Sequence, residues 1–165
     1  MEVSRAIDER DILSAKKLLE EILLIDPGYG RAHNHLGWIY ETKVKDFEKA
    51  QRHYELAIKF CNETYPVTYV NYGYLLIEFG QLDKATQIIE AGLQITGADK
   101  ATLTYQKGKI AEYNSNYISA YNLYKTSTLL SFNNDFQAFL KNELARVQSK
   151  MNIWEKLQIR FLKFQ

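Results

Sequence analysis

Of the chain's 165 residues only one is cysteine and two are proline, and the formal net charge is only +1. A single cysteine cannot close a disulfide within the chain. The opening residues include Glu2, Arg5, Asp8, Glu9, Arg10 and Asp11, so they lack the apolar stretch of a secretory leader, and the expected compartment is the cytoplasm. A charge this close to zero builds in no general attraction to nucleic acid or to an anionic membrane. No uncharged apolar run reaches the length of a bilayer-spanning helix, so no membrane span is expected.

Enzyme signatures are missing as well. The sequence contains no glycine-rich phosphate loop, no nucleophile elbow and no paired-carboxylate motif. His33 and His35 are two apart and point in different directions on a helix, so they cannot share a metal. His53 and Cys61 fall near one helix, but no third ligand accompanies them, and Cys61 reads as a small buried or turn residue. The expectation is a non-catalytic chain with no metal and no cofactor. Asn62-Glu63-Thr64 matches a glycosylation sequon, which in a cytoplasmic chain is a chance match.

What is present is periodicity. His33, Leu36, Gly37 and Tyr40 follow steps of three and four, which places them on one stripe of a helix. After a polar break at Glu41 to Asp46, Ala50, Tyr54 and Ala57 repeat that stripe on a second helix. Two antiparallel helices approach closely only where a side chain at the crossing is nearly absent, and Gly37 and Ala50 suit that crossing. The pattern recurs: Ala15, Ala50, Ala85 and Ala120 are spaced by 35 residues each time. Ile12, Phe47, Leu82 and Tyr117 precede these alanines by three, and Leu19, Tyr54, Ile89 and Tyr124 follow them by four. Gly37, Gly73 and Gly108 mark one place in the preceding helix, with the first gap lengthened to 36 by an extra residue in the Glu41 to Lys45 turn.

These residues resemble the tetratricopeptide repeat family, whose signature sets an aromatic, Leu-Gly, Tyr, Ala, Phe and Pro at fixed offsets. In the first complete repeat, His33 stands in the place usual for Trp, and Leu36, Gly37, Tyr40, Ala50 and Tyr54 fit. Tyr69, Tyr72, Gly73, Leu76, Ala85 and Ile89 occupy the same places in the second; Thr104, Lys107, Gly108, Ala111, Ala120 and Tyr124 do so more loosely in the third. The resemblance implies an all-α superhelix of about three and a half helical hairpins over residues 1–131. The units are a half repeat (1–29) and repeats at about 30–64, 65–98 and 99–131, followed by a C-terminal capping or extension helix over 132–165.

Turn chemistry marks the joints. Asp26-Pro27-Gly28-Tyr29-Gly30 closes the first helix, Gly80-Gln81 is an inner turn, and Asp99 caps a helix that runs to about Tyr113. Asn114-Ser115-Asn116 is a further turn, and Asn133-Asn134-Asp135 a further cap. Beyond it Leu140, Leu144, Val147, Met151, Trp154 and Phe161 form one seam, on one long helix or two joined ones. Ile153, Leu157, Leu162 and Phe164 lie off this seam, which leaves the last dozen residues apolar on more than one side. Trp154, Leu157 and Phe161 are therefore the expected surface for capping or for a homodimer. An interfacial helix flanked by Lys156, Arg160 and Lys163 is the third reading.

In the family, function resides on the concave face lined by the first helix of each hairpin. Counting from each signature glycine, the resemblance places Asn34, Trp38 and Glu41, then Val70, Asn71, Tyr74 and Ile77, then Tyr105, Lys109 and Glu112 in that groove. The walls are aromatic and mixed in charge, which suits an extended or helical protein segment with apolar anchors. Asn71 lands on one position of the family's carboxylate clamp, but Asn34, Trp38, Thr102 and Gln106 replace the side chains that clamp needs. The expected function is a protein-binding adaptor. The alternatives are a structural subunit that self-assembles through its C-terminal helix, or a pentatricopeptide-like RNA binder, which the apolar Val70 and Tyr105 and the absence of a basic stripe disfavour.

Overall fold

The computed structural model describes residues 11–61 and 65–161, the last of these without its side chain. The incomplete helix expected over residues 1–10, the Asn62–Thr64 sequon, the Phe161 ring and the four residues after it lie outside the described residues. Among the described residues every regular element is helical. Helix α1 (Ile12–Ile25) is the leading half unit. The first hairpin pairs α2 (Gly30–Ile39), which runs on as a π-helical turn (Tyr40–Val44), with α3 (Phe47–Cys61). The second pairs α4 (Val67–Glu78) with α5 (Leu82–Gln94), and the third α6 (Lys100–Tyr113) with α7 (Tyr117–Leu130). Helices α8 (Asn134–Lys150) and α9 (Ile153–Phe161) follow.

Several starts have a local cause. The side chains of Asp11, Asp99, Asn116 and Asn133 accept the backbone N–H of Ser14, Thr102, Ser119 and Phe136, each supplying a partner to a donor that the first turn leaves unpaired. The three inner turns share one device, a left-handed residue 35 positions apart: Lys45 at φ 63°, Gly80 at 69° and Ser115 at 57°. After Gly80 and Ser115, the N–H groups of Gln81 and Asn116 close onto the carbonyls of Leu76 and Ala111, five residues back, at 2.9 Å. After Lys45 the N–H of Asp46 closes onto Tyr40, six residues back, at 3.0 Å. The extra residue that lengthened the first glycine spacing is thus absorbed by widening the last turn of α2 into a π-turn.

The recurrent stripe is the core. Ala15, Ala50, Ala85 and Ala120 are completely buried, and so are Tyr54, Ile89 and Tyr124 four residues after the later three. A Cβ added at Gly37 would lie 2.7 Å from the Tyr54 ring, and one at Gly108 would lie 2.4 Å from the Tyr124 ring. Missing side chains on one helix make room for a tyrosine on its partner. Leu140, Val147 and Met151 extend this packing along α8, with Leu144 partly buried against it.

The expected seam does not continue to Trp154, which is 79% exposed. Met151 is extended (φ −71°, ψ 143°), so the helix breaks there. Asn152 then starts α9 with a reciprocal pair: its Oδ1 accepts the N–H of Glu155 at 2.9 Å, and its own N–H donates to Glu155 Oε2 at 2.8 Å. The break resets the helical phase, and Ile159 rather than Trp154 turns to the core.

Candidate functional site

Helices α2, α4, α6 and α8 stand side by side, and polar contacts stitch each to the next. Asn71 Nδ2 donates to Asn34 Oδ1 at 3.2 Å between α4 and α2. Gln106 Nε2 donates to the Val70 carbonyl at 2.8 Å between α6 and α4. Between α6 and α8, Arg146 makes a two-pronged ion pair with Glu112, its Nη2 to Oε2 distance being 2.8 Å. These four helices make the wall on which all ten expected groove residues fall.

The wall is open at some of these positions and closed at others. Tyr74, in the middle, is 40% exposed, and Trp38, Glu41, Val70, Asn71, Lys109 and Glu112 are half-buried. Asn34, Ile77 and Tyr105 are buried, at 3%, 5% and 6% exposure. Asn34 is held by Asn71, whereas Tyr105 is roofed edge-on by Phe136 and Phe139 of α8, with ring centroids 5.9 and 5.4 Å away. Phe139 is itself 41% exposed, so it presents an aromatic surface where the sequence expects Tyr105 to do so. The signal for it was a second α8 stripe at steps of three and four, Phe136, Phe139, Glu143 and Arg146.

Trp38 has a share in both wall and core. Its ring packs partly against the buried cluster, while the Lys43 ammonium sits over the ring, 5.1 Å from its centroid. The Tyr74 ring is open, but burial about its hydroxyl and the nearby Asp99 push that phenol up to about 12.

The carboxylates at the far ends of α2 with its π-helical turn and of α6 are committed to the hairpin. Glu41 accepts from the Tyr54 hydroxyl, and Glu112 from the Tyr124 hydroxyl at 2.9 Å. In the second hairpin both partners are apolar, Ile77 and Ile89, and both are buried. The exchange is physically consistent, because a buried phenol needs an acceptor and a buried isoleucine needs none. Burial raises Glu41 above the usual carboxylate range. Burial also opposes ionisation of Glu112, but Arg146, Lys150 and Tyr124 hold it down at about 2. Lys109, Glu112, Tyr113, Arg146 and Lys150 line an open cavity of about 330 Å³ at this end of the wall.

Other sequence-singled residues are structural. Gln106, one of the positions compared with a clamp, is fully buried against Gly73. His33 takes the place of the usual Trp, 6% exposed, with Nε2 3.0 Å from the Pro27 carbonyl and Nδ1 3.0 Å from His53 Nδ1. Spacing alone did not reveal this histidine pair, because its members are 20 residues apart on facing helices. Among the described residues no cluster of three or more His, Cys, Asp or Glu could hold a metal, and no helix is long and apolar enough to cross a membrane.

Residues 30–64 and 67–99 each match the tetratricopeptide repeat. The chain carries tetratricopeptide repeats. These matches span the first two complete hairpins, and the third repeats their geometry without a match, having Thr104, Lys107 and Ala111 at signature positions. Solved structures share the fold, among them pilF and PilW. The pilF protein of Pseudomonas aeruginosa aligns with a TM-score of 0.72 at 19% identity, over 90% of this chain and 71% of that one. PilW, described as a widely conserved type IV pilus biogenesis factor, gives 0.74 at 18% identity, over 90% and 72%. No curated protein matches the chain by sequence. Tetratricopeptide repeats are generally an interaction fold, so the repeats imply a protein-interaction role.

Proposed function

We propose that the chain is a non-catalytic adaptor whose α2–α4–α6–α8 wall holds an extended or helical segment of a partner protein. The observation that carries this reading is the outward aromatic surface of the wall: Tyr74 and Phe139 are 40% and 41% exposed, and Trp38 is half-buried under Lys43. Aromatic rings with few rotatable bonds bury large area at low entropic cost, which is why they anchor binding segments. Asn71 and Lys109 are the polar groups on the same wall that would orient the segment. The closed residues Asn34, Ile77 and Tyr105 would shape the floor without touching it. Cytoplasmic residence is part of the proposal, resting on the single cysteine. The likeness to PilW rests on fold at 18% identity and brings no partner with it.

The test is affinity capture with mass spectrometry, comparing the intact chain with the Trp38→Ala/Tyr74→Ala variant after both are shown to be folded. Partners captured by the intact chain and lost with the variant support the wall as the binding site. For a captured ligand, Trp38→Ala should weaken affinity by about 2 kcal/mol. Unchanged affinity together with lowered stability would make Trp38 a core residue and remove it from the site.

A further inference from the structure

Helix α9 is amphipathic the wrong way round. Its core contact is Ile159, 3% exposed, whereas Ile153, Trp154 and Leu157 are 75%, 79% and 39% exposed. At about 100° per residue these three occupy one arc of the helix, and Ile159 points from the opposite side. A helix lying on the outside of a repeat stack ordinarily turns its polar face to water. Here the outer face is the apolar one.

The charges around the arc indicate what covers it. Arg160 is exposed and Lys156 half-buried along one edge. The helix has a single acid, Glu155, whose carboxylate is taken up by the N–H of Asn152 at 2.8 Å. A second copy is a poor occupant in antiparallel packing, because a two-fold pair brings each edge against itself and sets Lys156 and Arg160 opposite their own counterparts. An anionic surface meets the apolar arc and the cationic edge together. The indole of Trp154 at the first turn is the side chain that prefers the boundary between acyl chains and headgroups.

We propose that α9 is an interfacial helix that docks this end of the repeat stack on an anionic lipid surface, lying in the headgroup boundary through Ile153, Trp154 and Leu157. Three side chains give weak, reversible binding, so the docking is peripheral and depends on lipid charge. This site is independent of the α2–α4–α6–α8 wall.

The experiment uses the full chain and vesicles of phosphatidylglycerol or phosphatidylcholine, with co-sedimentation and tryptophan quenching by brominated lipid as readouts. Binding to phosphatidylglycerol should exceed binding to phosphatidylcholine by about tenfold or more and fall as salt is raised. Quenching should persist in Trp38→Phe, where Trp154 is the remaining indole. Lys156→Gln/Arg160→Gln should remove most of the lipid-charge preference. Trp154→Ser/Leu157→Ser should abolish binding with the helical circular dichroism unchanged; these side chains are exposed, so folding does not depend on them. Absence of binding to phosphatidylglycerol, or binding that Trp154→Ser/Leu157→Ser leaves intact, would overturn the proposal. A fall in solution mass in that double variant would overturn it in favour of a second copy.

Discussion

The histidine pair between α2 and α3 makes the stability of this chain depend on pH in a calculable way. A carbonyl can only accept, so His33 Nε2, 3.0 Å from the Pro27 oxygen, carries a proton. His33 Nδ1 and His53 Nδ1 are 3.0 Å apart, so one of the two donates to the other. A proton added to His53 would charge a half-buried ring stacked on Tyr40. Burial first, and His33 second, hold His53 at about 4 against an ordinary 6.5. Between those values the unfolded chain binds a proton that the folded chain refuses. The contribution is therefore complete above 6.5 and is lost as pH falls toward 4. That separation corresponds to roughly 3 kcal/mol, which solvent at the half-buried ring reduces to about 1–2 kcal/mol. His53→Asn keeps an N–H donor near the position of Nδ1 and cannot titrate. Urea unfolding from neutral pH down to the ordinary carboxylate value should show the intact chain losing about 1–2 kcal/mol more than the variant. His35, held low by burial and Arg31, adds its own slope to both and cancels in the comparison. Parallel stability curves for the two proteins would refute the lowered titration of His53.

Further outcomes follow from the turns, the packing and the ion pairs. Ser115→Gly should raise the urea midpoint, by about 0.5–1 kcal/mol in stability, and Gly80→Ala should lower it by about 1 kcal/mol, since both residues hold left-handed turns. Gly108→Ala drives a methyl to 2.4 Å from the Tyr124 ring and should cost about 1–3 kcal/mol in the same assay, with near-ultraviolet circular dichroism changed by the displaced ring. Arg146→Met leaves the nearly buried Glu112 with Lys150 and Tyr124 and should cost about 3 kcal/mol, largely recovered by adding Glu112→Gln. Because Glu112 is held at about 2, its contribution is present above the usual 4.5 and is lost as pH falls toward 2, so Glu112→Gln/Arg146→Met should flatten that acid limb.

The 35-residue alanine spacing, the close approach at Gly37 and the caps at Asp99 and Asn133 are local or periodic signals, and each emerged where it was read, although the group that Gly37 makes room for is the Tyr54 ring. Even the extra residue before Asp46 was visible as a longer glycine gap, although only the backbone shows that it becomes a π-turn. The groove was legible as a set of helix positions but not as a surface. Position on a helix fixes which side a residue faces; it does not fix what the next helix lays over it.

That is why Tyr105 is roofed by Phe136 and Phe139, and why Phe139 takes its exposed place. The same limit applies where α8 breaks at Met151, since two non-helical residues rotate everything beyond them and exchange Trp154 for Ile159 at the core. Sequence by itself determined the repeat, its period and its buried stripe, because these rest on spacing within a helix and on residue size. Which wall residues stay open, how His33 meets His53, and which face of α9 meets solvent depend on contacts between distant segments, and only the tertiary structure decided them.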